Sequence, residues 1–117
     1  MSRILVADDD AAQLDLRCRL LETGGHRAIP AFSASETMRQ LSSADVVVMD
    51  LRLPQTADGL ALIRGIRAAR ARVPIILLTG WPADLEDRPE AELVSRIMPK
   101  PVRLESLLQA VAEVSAA

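Results

Sequence analysis

Hydrophobic residues in this chain fall into short continuous runs separated by longer amphipathic stretches. Three runs are apolar at every position: Ile4 to Ala7, Val46 to Met49 and Ile75 to Leu78. Strands buried on both faces of a parallel sheet have this pattern, because helices cover the sheet on each side. Weaker strands are expected at Arg27 to Ala31 and at Ser95 to Met98.

The stretches between these runs have helical periodicity. The last is the clearest, with one apolar stripe formed by Leu104, Leu107, Leu108, Val111 and Val114. Strand and helix alternate five times with short connections, which predicts an α/β fold with a doubly wound parallel sheet. Pro89 falls inside the fourth helical stretch, and proline removes a donor and clashes with the preceding turn. That helix is therefore expected to be short, kinked or late-starting.

Polar residues follow the ends of the strand-like runs. Asp8 and Asp9 follow the first run, Asp50 the third and Thr79 the fourth, and Lys100 lies just past the last. Ligands of a doubly wound sheet bind outside the carboxyl ends of its strands, so these side chains are expected to lie together. Carboxylates suit Mg2+, and a threonine hydroxyl can donate to a phosphoryl oxygen. The set indicates phosphate chemistry on a carboxylate.

Lys100 is the only lysine, whereas the other 13 basic residues are arginines. A lysine ammonium is a compact point charge, whereas a guanidinium is a planar fork. The exception at this position indicates a site that needs the point charge.

Composition limits the function classes further. The 117 residues are 50% hydrophobic, enough for one core, so residues 1–117 are expected to form a single domain. Acidic and basic residues are mixed along the chain with a net charge of −2, so neither nucleic acid nor a membrane surface is an expected partner. The single cysteine, Cys18, cannot form an internal disulfide. With no long apolar span, this favours a reducing cytoplasm and a cysteine that packs as a small apolar residue.

Four segments carry a family resemblance that covers the whole chain. The runs ILVADDD, VVVMDLRLP, IILLTG and MPKP, in this order and spacing, resemble the receiver domain of two-component response regulators. The resemblance implies a flavodoxin-like (βα)5 fold with strand order 2-1-3-4-5 and a cis peptide bond at Lys100-Pro101. Pro99 cannot donate to a sheet ladder, so the fifth strand should lie at an edge.

The resemblance also implies roles for individual residues. Its catalytic set is the phosphoacceptor Asp50, the switch hydroxyl Thr79 and Lys100, and its Mg2+ ligands are Asp8, Asp9, Asp50 and the backbone carbonyl of Arg52. The phosphodonor would be a histidine kinase or a histidine phosphotransfer protein. Such a domain is a signalling switch that changes the surface around its fourth and fifth helices, and it catalyses only its own aspartyl phosphorylation and dephosphorylation. No output domain follows the last helix, which predicts a stand-alone receiver or one domain of a larger protein, and the output partner stays open.

The sequence departs from the family pattern at the switch. Ile97 stands where receivers commonly carry an aromatic residue, three positions before Lys100. Trp81, two residues past Thr79, is the only large aromatic residue near the site. Trp81 is therefore the candidate that reports, and partly performs, the switching that an aromatic at position 97 would carry.

Two alternatives come from other functional classes. A phosphohydrolase of the haloacid dehalogenase type also uses an aspartate nucleophile with threonine and lysine. It normally needs a second aspartate two residues later, where this chain has Arg52. The other is a receiver-fold binding module that acts without phosphorylation, which the missing aromatic and Pro89 would favour.

Overall fold

Five strands form one parallel sheet in the computed structural model, which describes residues 1–116. They are β1 (Arg3–Ala7), β2 (Arg27–Ala31), β3 (Val46–Asp50), β4 (Ile75–Thr79) and β5 (Arg96–Pro99). The spatial order is β2-β1-β3-β4-β5, and every neighbouring pair is parallel. The predicted flavodoxin-like fold and its strand order 2-1-3-4-5 are confirmed.

Burial explains the different strength of the strand patterns. Every residue of the central strands β3 and β4 is buried, as their continuous apolar runs require. The outer strands β2 and β5 each have one sheet neighbour and stay partly exposed. Pro99 lies on β5, so its predicted edge position is confirmed. The Lys100-Pro101 bond is cis, as expected, and Leu53-Pro54 is a second cis bond.

Four α-helices cover the two faces of the sheet: α1 (Ala11–Thr23), α2 (Ala34–Gln40), α3 (Thr56–Ala69) and α4 (Leu104–Ser115). One apolar layer packs α1 and α4 against the sheet through Leu14, Leu21, Leu107 and Val111. The other packs α3 through Leu62, Ile63 and Ile66. Cys18 packs partly buried against the first layer, and burial raises the pKa of its thiol, so the prediction of a small apolar role is confirmed.

The fourth crossover differs from the predicted (βα)5 pattern. Two 3-10 segments, Pro82–Leu85 and Pro89–Leu93, connect β4 to β5, and no α-helix forms there in the described chain. Pro82 at the start of the first segment is compatible with a helix, but Pro89 has no N–H to donate four residues back and would clash with the preceding turn, so one α-helix cannot run through both segments. The expected shortening is therefore present, but the element is not an α-helix. Within residues 1–116, no helix is long and apolar enough to span a membrane.

Gly59 fixes how closely α3 approaches the segment after β3. A Cβ added at Gly59 would lie 1.7 Å from the backbone carbonyl oxygen of Leu51. Only glycine leaves room for this contact, which joins the first turn of α3 to the residue that follows Asp50. The contact therefore sets the backbone next to the site.

We expect Gly59→Ala to lower the free energy of unfolding by about 2 kcal/mol, because the backbone must shift to admit a methyl group. The matched control is Gly65→Ala on the same helix, where the added Cβ would meet Met38 Sδ at an ordinary 3.6 Å. That change should leave stability unchanged or raise it by about 0.5 to 1 kcal/mol, since alanine is the better helix former. Urea unfolding of both variants measures the difference, and equal stabilities would contradict the close approach.

Candidate functional site

The sheet brings the singled-out side chains to one edge. Neighbouring strands are in register where they end, with Ala7 beside Met49, Asp50 beside Leu78 and Thr79 beside Pro99. The residues at or just after these positions therefore meet at the carboxyl edge, where doubly wound sheets bind ligands. The predicted site residues Asp8, Asp9, Asp50, Thr79 and Lys100 all lie on this edge.

An ion pair between Asp50 and Lys100 lies at the centre of the edge. Lys100 Nζ is 2.5 Å from Asp50 Oδ2, a short charge-assisted hydrogen bond. The backbone N–H of Lys100 donates to the carbonyl of Thr79 at 2.8 Å, which fixes the lysine at the end of β4. Asp50 Oδ1 accepts a longer bond of 3.4 Å from the Arg52 N–H. The carboxylate is thus nearly buried, with one oxygen tightly paired and the other held weakly.

Asp8 is more fully enclosed than Asp50, with 1% of its surface exposed. Its Oδ1 accepts from the Asp10 N–H at 2.9 Å, and its Oδ2 accepts from Arg17 NH1 at 2.9 Å. The Arg17 side chain is only 10% exposed. Sequence reasoning missed this arginine. The available signal was its position three residues after Leu14 and four before Leu21, on the apolar face of α1.

Asp9 is exposed, unlike Asp8 and Asp50. Within residues 1–116, no three His, Cys, Asp or Glu side chains lie close enough together to hold a metal ion. The chemistry of the donors fits Mg2+, because carboxylate oxygens are the hard ligands that it prefers. The metal role of Asp8, Asp9, Asp50 and the Arg52 carbonyl stays a prediction, and the structure adds that Arg17 already contacts the most buried of these carboxylates.

Thr79 ends β4 with its side chain buried. Its Oγ1 accepts from the Trp81 N–H at 3.0 Å, which joins the hydroxyl to the start of the fourth crossover. A hydroxyl has one proton to donate as well as lone pairs to accept, so this bond leaves Thr79 able to donate. Ile97 lies on β5 beside Leu77 of β4, and Pro99 lies beside Thr79. Ile97 is 40% exposed.

The Arg52 side chain forms a second feature that the sequence did not reveal. Its guanidinium lies 4.0 Å from the ring centre of Trp81, within the range of a cation–π contact. Its Nε and NH2 donate to Asp84 Oδ2 at 3.3 and 3.1 Å, and Thr56 Oγ1 donates to the same oxygen at 3.2 Å. We call Arg52, Thr56, Trp81 and Asp84 the Arg52 clamp. It connects the segment after β3 to the fourth crossover at the rim of the site.

A groove of about 580 Å³ lies beside Lys100, between α1 and the start of α4. Its lining is mainly apolar and includes Leu16, Arg17, Leu20, Trp81, Val102 and Leu104. The groove therefore borders the Asp50–Lys100 pair on the side where Arg17 and Trp81 lie.

The family is decided by comparison with known proteins. A model described as "Response regulator receiver domain" matches residues 4–112. The chain belongs to this family. The receiver domain is similar to the response regulator MprA of Mycobacterium ulcerans, with 32% identity over 109 residues covering 91% of this chain and 47% of that protein. It is also similar to the regulatory protein VirG of Agrobacterium tumefaciens, with 35% identity covering 68% of this chain and 30% of that protein.

Solved structures show the same receiver fold. A receiver domain protein from Clostridium thermocellum superposes with a TM-score of 0.89 at 30% identity, covering 99% of this chain and 95% of that one. The response regulator TrrA of Thermotoga maritima, solved in complex with Mg2+ and BeF, superposes with a TM-score of 0.86 at 25% identity, covering 97% and 99%. This receiver domain spans about half or less of the length of the curated relatives above. Members of the family serve in signalling by two-component systems.

We expect Asp84→Ala to loosen the start of the fourth crossover, because it removes the acceptor shared by Arg52 and Thr56. Amide hydrogen exchange in residues 83–85 should become about fivefold faster, the effect of losing roughly 1 kcal/mol from a partly exposed ionic network. Glu86→Ala is the matched control, since Glu86 is exposed and no salt bridge of the described residues includes it. Equal exchange rates in both variants would contradict the clamp.

Proposed function

We propose that this receiver domain accepts a phosphoryl group on Asp50 and acts as a phosphorylation-dependent switch. The observation that carries the proposal is the Lys100 ammonium 2.5 Å from Asp50 Oδ2 at the ligand-binding edge of the sheet. The donor is a phosphohistidine of a histidine kinase or of a histidine phosphotransfer protein. A response regulator of a two-component system is the family context that supports this donor.

Phosphoryl transfer to Asp50 requires two things of the protein: a carboxylate oriented for attack on phosphorus, and neutralisation of the charge on the transferred group. An oxygen of the Asp50 carboxylate attacks phosphorus, the P–N bond to the donor histidine breaks, and the imidazole leaves with the bonding electron pair. During the transfer, negative charge shifts from the Asp50 carboxylate to the phosphoryl oxygens, and the Lys100 ammonium neutralises that charge. Asp50 Oδ1, held only by the 3.4 Å bond from Arg52 N–H, is the oxygen more easily released for attack.

Magnesium fits this chemistry through hard oxygen ligands. Asp8, Asp9, Asp50 and the backbone carbonyl of Arg52 would hold it, and when bound it supplies positive charge that orients the phosphoryl oxygens. The relative TrrA was solved with Mg2+ and BeF, which supports the same ligand chemistry at the matching edge of this chain.

Thr79 converts the new charge into a change of shape. Its hydroxyl can donate to a phosphoryl oxygen on Asp50, and its Oγ1 is already bonded to the Trp81 N–H. Movement of Thr79 therefore pulls on Trp81 and on the Arg52 clamp. The 3-10 segments that follow are the surface through which the change is transmitted, in place of the fourth helix of the predicted pattern.

Asp50 should be labelled by acetyl phosphate only when Mg2+ is present. Mass spectrometry of the intact protein, prepared quickly because acyl phosphates hydrolyse, should show one added phosphoryl group. Asp50→Ala should abolish the phosphoryl label. Asp45→Asn is the matched control, because Asp45 lies outside the carboxyl edge and accepts from the Arg3 N–H, and this variant should be labelled like the wild type. Labelling of Asp50→Ala at the wild-type level would sink the proposal.

Trp81 should report the switch. As the sole tryptophan, it gives an unambiguous fluorescence signal, and it contacts both Thr79 and Arg52. We expect its emission to change when Mg2+ and beryllofluoride are added together, and to stay constant in Asp50→Ala under the same conditions. An unchanged spectrum at demonstrated saturation would mean that the segment after β4 does not move.

A further inference from the structure

Arg17 is placed unlike any ordinary surface arginine of α1. It lies on the apolar face of the helix, its side chain is 10% exposed, and NH1 is 2.9 Å from Asp8 Oδ2. Arg19, two residues later on the same helix, is 76% exposed and pairs with Asp15 at 3.0 Å. The two arginines of α1 therefore differ in environment: Arg17 is enclosed against Asp8, whereas Arg19 forms an ordinary exposed pair within the helix.

The contact meets an electrostatic need of Asp8. An enclosed carboxylate is costly unless a cation and hydrogen bonds compensate for its lost hydration. Asp8 has both: Arg17 on Oδ2 and the Asp10 N–H on Oδ1. The domain without a bound cation is therefore already neutralised at this position by its own side chain.

A divalent cation would meet Arg17 at the same carboxylate. Both are positive and both use the lone pairs of Asp8, so each weakens the binding of the other. Arg17 also has space to leave, because it lines the groove of about 580 Å³ beside Lys100. The open volume of the groove lies next to the Arg17 side chain, on the side away from the apolar core.

We propose that Arg17 is an internal competitor of the divalent cation at Asp8. It stabilises the cation-free domain and weakens Mg2+ binding, so that loading of the site requires the guanidinium to give up Asp8 Oδ2. This inference rests on the proposed function, in which Asp8 is a Mg2+ ligand, and it adds the residue that sets the affinity of the site. Arg17 acts here as a positioning residue, not as a catalytic one.

Calorimetric titration of the intact protein with MgCl2 tests the competition. Arg17→Met keeps an unbranched stem and removes the guanidinium, and we expect it to lower the Kd for Mg2+ about tenfold, the effect of one charge-assisted hydrogen bond. Arg19→Met removes the same charge from the same helix and should leave the Kd unchanged. Without Mg2+, Arg17→Met should melt at a lower temperature than wild type, and added Mg2+ should narrow that gap.

A Kd in Arg17→Met that equals or exceeds that of Arg19→Met overturns the competition, as does the absence of Mg2+ binding in every variant. If Arg17→Met does not fold, the wild-type protein decides by NMR of the arginine Nε–H groups. Saturating Mg2+ should shift the Arg17 signal and leave that of Arg67, which donates to Leu93 O at 3.0 Å, in place. An unmoved Arg17 signal overturns the inference.

Failure of the proposed function is separately visible. It would appear as lack of labelling of Asp50 by acetyl phosphate at saturating Mg2+, whatever the affinity of Arg17→Met. Labelled Asp50 with unaltered Mg2+ affinity would leave the switch standing and remove only the role of Arg17.

Discussion

Burial of negative charge at the end of a parallel sheet is the constraint on which this domain depends. The carboxyl edge gathers Asp8 and Asp50 into a place with little water, where an unpaired carboxylate would be costly. Each has a cation from a different element: Arg17 from α1 and Lys100 from the end of β5. The Lys100–Asp50 pair connects the end of the edge strand β5 to the central strand β3, and the Arg17–Asp8 pair connects α1 to the end of β1. The site is thus part of what holds the elements in register.

Glu90, in the fourth crossover, follows the same rule. Its carboxylate is 8% exposed and pairs with Arg64 of α3, while Arg67 donates to the Leu93 carbonyl. The crossover has no α-helical ladder of its own, and the Leu93 carbonyl accepts from the Arg67 side chain of α3 instead of from an intrahelical N–H. Among the described residues, no buried side-chain nitrogen or oxygen lacks a hydrogen-bond partner. Arginine side chains of α3 therefore satisfy polar groups that the irregular crossover does not pair within itself.

Local patterns explain which parts could be predicted from the sequence. The runs at Ile4, Val46 and Ile75 predicted the three central strands, because burial on both faces leaves a continuous apolar signature. Lys100 stood out as the only lysine, and it pairs with Asp50. Such features depend on neighbours along the chain or on a fixed topology, and both can be read without coordinates.

Contacts between distant side chains could not be predicted in the same way. Arg52 is 32 residues from Asp84, and nothing in the composition of either segment pairs them. Arg17 had a detectable signal, an arginine on an apolar helix face, but its partner depends on how α1 lies over the end of β1. Pro89 correctly warned of a disturbed fourth helix, but the bonds from Arg64 and Arg67 to the second 3-10 segment join residues 26 positions apart, which no local pattern shows.

The prolines of the two edge strands limit how another strand could pair with this sheet. Both carry a proline, Pro30 in β2 and Pro99 in β5. Arg27 and Ala31 bond towards β1, and Lys100 bonds towards β4, so the alternation along each strand turns both prolines outward. The Pro30 carbonyl is also capped by Gln40 Nε2 at 2.9 Å. Each edge strand therefore lacks one N–H donor that an incoming strand would need, and the sheet resists edge-to-edge aggregation. Because both prolines face outward, no hydrogen bond within the sheet is lost.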